Sequence, residues 1–123
     1  MQTLPQERRV SLRTKMLGVT GNVISNKGTK RDEIHAQDIS EGGLRFELDA
    51  QYSAGETVRF EGETSDISRT LDISCDMEIV SVERMAAGKF LYGTRFLNLT
   101  KDQQVTLGIF IELMVTKFPT LLV

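Results

Sequence analysis

The chain has 123 residues, 40% of them hydrophobic and 26% charged, which fits one globular domain and argues against disorder. One Cys excludes an intrachain disulfide, and one Cys with one His excludes a Cys/His zinc site. No apolar run reaches the ~18 residues of a membrane span, and the net charge is only −2.

That charge is unevenly placed. Residues 1–31 carry seven Lys/Arg against one Glu, whereas residues 32–85 carry four Arg against fourteen Asp/Glu. Residues 1–15 show almost no periodic apolar pattern and contain Pro5, so they read as a flexible basic arm. The opening MQTLPQERR has no apolar stretch behind its charges and does not read as a secretory signal. With the single Cys, this points to the cytoplasm. A cationic arm ahead of an acidic body suits an anionic partner, or it can lie on its own body; charge alone leaves both open.

From residue 16 to the last third of the chain the pattern is strands and turns. Met16–Ile24 is a predicted strand, and 25–32 (SNKGTKRD) is polar and reads as a hairpin loop. Glu33–Ile39 follows, with Ile34 and Ala36 on one face. Leu44, Phe46 and Leu48 alternate with Arg45 and Glu47, and Val58 and Phe60 with Arg59 and Glu61, the period of two of half-buried strands. Leu71, Ile73, Cys75, Met77 and Ile79 form one long alternating run. Val80 and Val82 fall on the opposite parity, which predicts a β-bulge near Ile79–Val80. Phe90, Tyr92, Thr94 and Phe96 make the last strand. Six strands at this spacing predict a small antiparallel barrel or sandwich, and a closed barrel would leave no exposed edge.

The C-terminal stretch changes period. Thr100 with Gln103 fits a capping box, and Leu107, Phe110, Ile111, Met114 and Phe118 recur at helical spacing until Pro119, predicting a helix over about 101–118. Val105, Ile109, Leu113 and Val115 widen its apolar surface. The helix packs in a groove of the barrel, or part of it receives a second subunit or another protein, such as a homodimer partner.

Catalytic constellations are missing. His35 lies in an alternating strand with no nucleophile beside it in sequence, and Cys75 shares core parity with Ile73 and Met77. There is no phosphate loop, dinucleotide fingerprint or metal-ligand spacing, so an enzyme is not expected and no metal or cofactor is implied. Arg95 in the last strand reads as structural.

Two motifs remain. Arg8-Arg9-Val10-Ser11-Leu12-Arg13 contains Arg9-x-x-x-Arg13, and Asp38-Ile39-Ser40-Glu41-Gly42-Gly43 contains Asp38-x-Ser40-x-x-Gly43, 25 residues further on. In this order and context the sequence resembles the PilZ domain family of bacterial cyclic di-GMP receptors. Tyr92-Gly93-Thr94-Arg95-Phe96-Leu97 followed by a helix also looks like that family's last strand and closing helix, so the resemblance covers nearly the whole chain. R-x-x-x-R is weak evidence, but D/N-x-S-x-x-G should arise by chance in roughly one chain in twenty at average residue usage. The sequence holds its own control. Asp-Ile-Ser recurs at 66–68 and 72–74, with Leu71 and Met77 where the motif requires glycine.

The resemblance implies a six-stranded barrel with a C-terminal helix, residues 16–123, preceded by the 1–15 arm. It assigns the ligand-binding roles to Arg8, Arg9, Arg13, Asp38, Ser40 and Gly43. An Arg in the place of Arg8 implies an intercalated pair of ligand molecules. The chemistry agrees. Guanine presents O6 and N7 to an arginine fork, and a guanidinium plane can stack on a purine. Phosphates take charge-assisted bonds from arginine. Asp38 can accept from the N1–H and amino group of guanine, Ser40 can donate or accept, and Gly43 lets the backbone turn and approach a base or sugar. The expected partners are cyclic di-GMP and an effector protein that reads the liganded arm, with no membrane. A ligand-independent adaptor of the same fold is the main alternative. A single-stranded nucleic-acid binder is a third, and the six Phe and two Tyr, mostly on core parity, with an acidic body, argue against it.

Overall fold

The computed structural model describes residues 9–11, 18–25, 30–65, 70–118 and 120. Its strands are β1 (Arg9–Ser11), β2 (Gly18–Ser25), β3 (Arg31–Ser40), β4 (Leu44–Leu48), β5 (Thr57–Ser65), β6 (Thr70–Asp72), β7 (Cys75–Arg84) and β8 (Phe90–Phe96), followed by helix α1 (Lys101–Lys117). A short 3-10 turn, Ala86–Gly88, joins β7 to β8. Every strand pairing is antiparallel. Six strands run in the order β3-β2-β5-β7-β8-β4, and β4 pairs back onto β3, so the barrel closes as expected. The other two, β1 and β6, are short additions to β3 and β5.

Alternation places the core. Ile34, Ala36, Leu44, Phe46, Val58, Phe60, Ile73, Cys75, Met77, Ile79 and Tyr92 are all buried inside the barrel. Burial pushes the Cys75 thiol up to about 12, which leaves it a protonated, unreactive filler. At one end Tyr92 donates from its hydroxyl to the Ala50 carbonyl (2.5 Å) and accepts from the Tyr52 N–H (3.0 Å). Tyr52 in turn donates to Asp32 Oδ2 at 3.1 Å.

The register between β7 and β8 shifts between Ile79 and Ser81, the bulge that the parity of Val80 predicts. The long run from Leu71 to Val82 is not one strand, however. It breaks at Ile73–Ser74, because Ser74 N–H and Oγ–H both bond Asp72 Oδ1 (3.0 and 2.6 Å) while Ser74 Oγ accepts from the Gly62 N–H at 3.0 Å. Ile73 stays fully buried through the turn, so the apolar alternation continues across a break in pairing.

Thr100 and Gln103 form the expected capping box, with Gln103 N–H to Thr100 Oγ1 at 3.1 Å and Thr100 N–H to Gln103 Oε1 at 2.9 Å. Leu107, Phe110, Ile111 and Met114 are buried, and the helix touches β1 and β6. Val105 and Ile109 remain about half exposed on its outer side. No helix among the described residues is long and apolar enough to cross a membrane.

Candidate ligand-binding site

The site is built by the second half of β3 and its two neighbours. The register between β3 and β4 shifts between Ala36 and Asp38. The shift reverses the parity of the strand. Ile34 and Ala36 face the core before it, Ile39 after it. Asp38 and Ser40 are thereby turned to the outer face, although an unbroken strand would aim them inward with Ala36. The sequence carried this signal, since Ile39 is off parity with Ile34 and Ala36, and it was missed.

The outer face can be read from direct cross-strand partners, which lie on one side of the sheet. Arg9 of β1 opposes Ser40, and Ser11 opposes Asp38. Asp38 opposes Arg45 of β4, and Arg45 opposes Gly93 of β8. Between Arg9 and Ser11, Val10 opposes Ile39 and is fully buried. Part of the segment read as an arm is therefore a strand, anchored by an apolar side chain whose burial contributes about 1.5–3 kcal/mol. Arg8 and Arg13 lie outside the described residues, as does the rest of the arm except Arg9–Ser11.

Asp38 is the hub. It is buried, and its carboxylate meets two guanidinium groups. Arg9 Nη1 donates to Oδ1 at 2.5 Å. Arg45 donates from Nε and Nη2 to Oδ2 at 2.7 and 2.6 Å. These bonds raise the Arg45 pKa above its ordinary value. Sequence reading missed Arg45 as a site residue. It was legible as an outward residue of β4, but its pairing with Asp38 needs the hairpin register.

Ser40 organises the turn that follows. Its Oγ accepts from the Gly42 and Gly43 N–H groups, each at 3.2 Å, and from Arg9 Nη2 at 3.3 Å. The Ser40 N–H donates to the Gly43 carbonyl at 2.8 Å. Gly43, expected to let the backbone turn and approach a ligand, also has a packing purpose. A Cβ there would lie 1.8 Å from the Thr94 carbonyl oxygen. The missing side chain lets the start of β4 lie against β8, where Thr94 Oγ1 accepts from the Leu44 N–H (3.3 Å) and donates to the Leu44 carbonyl (2.8 Å). The Phe96 N–H closes the same contact on the Gly42 carbonyl at 2.8 Å. Four of the six expected residues, Arg9, Asp38, Ser40 and Gly43, thus converge on one turn. His35 is exposed on the β2 side of β3, and Arg95 pairs with Glu78. Among the described residues no group of three or more His, Cys, Asp and Glu is placed to hold a metal ion.

A buried carboxylate thus pairs with two guanidiniums beside a serine-closed turn on the outer face of a closed six-stranded barrel. The PilZ domain family model matches residues 7–113, and the chain belongs to that family of cyclic di-GMP receptors and adaptors. Among solved structures, the PilZ domain of YcgR from Escherichia coli with c-di-GMP superimposes at a TM-score of 0.66 and 16% identity, over 94% of this chain and 94% of that one. The Bacillus subtilis inhibitor of motility, MotI/DgrA, gives 0.70 and 17%, over 95% of this chain and 54% of that one. The K. pneumoniae MrkH–c-di-GMP complex gives 0.69 and 15%, over 97% and 56%. The chain therefore spans about half the length of MotI and MrkH. No curated protein sequence matches it significantly.

Proposed function

We propose that the chain is a cyclic di-GMP receptor in which the ligand bridges the leader arginines Arg8, Arg9 and Arg13 to the turn bearing Asp38, Ser40 and Gly43. The observation that carries this reading is the Asp38 carboxylate shared by Arg9 and Arg45. Two guanidiniums held at fixed positions offer charge-assisted bonds to the phosphates of the dinucleotide and forks to guanine O6 and N7.

On this reading Asp38 has two roles. A carboxylate has about four lone-pair sites, and three are taken by donors of Arg9 and Arg45 among the described residues. One place remains on Oδ1, enough for a single N–H of guanine without displacing an arginine. Asp38 thus acts first as the group that orients the arginines and second as an acceptor for the base. Arg8 and Arg13 add their guanidiniums to the contacts that Arg9 makes with the ligand. The liganded leader then forms the surface that an effector protein reads. Two intercalated ligand molecules per domain agree with an Arg at position 8.

Calorimetric titration of the purified chain with cyclic di-GMP tests the reading. The expected result is binding at micromolar concentration or tighter with a stoichiometry of two, and a loss on the order of 1–3 kcal/mol in Arg13→Ala. Asp38→Ala should weaken cyclic di-GMP more than cyclic di-AMP. Absence of binding at micromolar ligand overturns it.

A second reading, a ligand-independent adaptor, is favoured by one specific surface. Val105 and Ile109 of α1 and Leu97 are exposed. A cleft of ≈ 230 Å³ lined by Glu41, Gly42, Phe96, Leu97, Leu99 and Gln104 lies at the edge of the same turn. A second copy or another protein could cover it. Sedimentation with and without cyclic di-GMP separates the readings, since the adaptor's assembly would be indifferent to the nucleotide.

A further inference from the structure

The row of opposed residues that contains Asp38 does not stop at β4. It continues from Arg45 to Gly93 of β8 and from Gly93 to Ser81 of β7. Two small residues therefore follow Arg45 on the outer face. A Cβ on Gly93 would lie 2.3 Å from Ser81 Oγ, so the serine side chain leans over the glycine, and Val80 Cγ2, 3.9 Å from the same point, adds an apolar edge. The result is a low shelf beside the Arg45 guanidinium.

Arg45 is held by one edge. Its Nε and Nη2 both point at Asp38 Oδ2, which fixes the plane of the group, while its side chain keeps 41% of its surface exposed. A pinned, exposed guanidinium plane is suited to stacking on a purine, and little side-chain freedom is left to be lost on contact.

We propose that Arg45 is a further ligand-contacting residue, laying its flat face against a guanine base of the dinucleotide seated over Gly93 and Ser81, with Asp38 as the group that sets its plane. This rests on the receptor reading above and extends the site from the leader and the turn across β4 onto β8. The contact gives Arg45 a part in selecting a planar base, distinct from the charge that any cation could supply.

The test is titration of wild type, Arg45→Ala, Arg45→Lys and Arg59→Ala with cyclic di-GMP, each variant first checked for native circular dichroism. Arg59 is the matched control, because it is exposed to a similar extent (43%) and also pairs with an aspartate, Asp76, at 3.6 Å. The expected result is a loss of tenfold or more in Arg45→Ala, a loss of about fivefold in Arg45→Lys, which keeps the charge but not the plane, and less than twofold in Arg59→Ala. Should Arg45→Ala misfold, Arg45→Lys decides. If wild type binds and the folded Arg45 variants bind within twofold of it, the stacking role is overturned and the receptor reading stands. If wild type itself fails to bind, the receptor reading falls and this proposal with it.

Discussion

Asp38-Ile39-Ser40 and Asp72-Ile73-Ser74 are the same tripeptide, and both isoleucines are fully buried. Their polar residues behave differently. At 72–74 the aspartate is exposed and accepts from the N–H and hydroxyl of its own Ser74, a local turn that ends β6. At 38–40 the aspartate is buried and accepts from Arg9 and Arg45, which lie 29 and 7 residues away, while the serine closes the turn ahead of it. The buried isoleucine sets both copies on the barrel wall. What surrounds them decides whether the carboxylate bonds its own turn or pairs with guanidiniums from other strands. Three residues after the serine stand Gly43, pressed against the Thr94 carbonyl, and Met77, which fills the core. The motif glycine is therefore a requirement of the first copy's packing before it is anything else. The remaining copy, Asp66-Ile67-Ser68, lies outside the described residues.

The largest expected effect comes from removing that difference at Gly43. Gly43→Ala puts a methyl 1.8 Å from a backbone oxygen of β8, so strands must separate. The expected loss is about 3 kcal/mol, at the upper end for overpacking, measured by urea unfolding. A loss below about 1 kcal/mol would mean that β4 yields freely. Next is the pair Asp38→Ala and Asp72→Ala. The first strands Arg9 and Arg45 without their acceptor and should cost about 1.5–3 kcal/mol, as for hydrogen bonds to a charged group. The second should cost about 0.5–1 kcal/mol. Equal losses would erase the contrast between the copies.

A smaller effect is expected at Gln103, whose side chain bonds the Ser74 carbonyl at 3.0 Å and completes the helix cap. Gln103→Ala should cost about 1 kcal/mol and leave cyclic di-GMP affinity unchanged. An affinity change there would make the second copy part of the site. The last effect vanishes at neutral pH. Burial raises the Cys75 thiol from 9.0 to about 12, and burial first, then the bond to Asp32, raises Tyr52 from 10.0 to about 12. In both, the protonated form is favoured by the fold. Stability is full below pH 9 and falls as pH rises from 9 to 12, because the unfolded chain releases these protons first. Melting temperature against pH should show that decline, and Cys75→Val should delay its onset.

Much of the barrel was legible because alternation marks the inner faces directly, and the parity of Val80 located a bulge. The bulge at Ala36–Asp38 had the same kind of signal in Ile39 and was overlooked. Two features left no periodic trace. Arg9–Ser11 has one apolar residue, too few to show a period, and the break at Ile73–Ser74 keeps Ile73 on core parity. At the site, the motif residues could be named from their spacing. Arg45 could not, because its place opposite Asp38 exists only once β3 and β4 have paired in a shifted register.

The most direct test of the account is a crystal structure of the chain grown with saturating cyclic di-GMP. The account predicts nucleotide against the Ser40–Gly43 turn, contacted by Arg9, with the Asp38 carboxylate still holding guanidinium groups. A turn that stays bare at saturation, with nucleotide elsewhere or nowhere on the barrel, would contradict it.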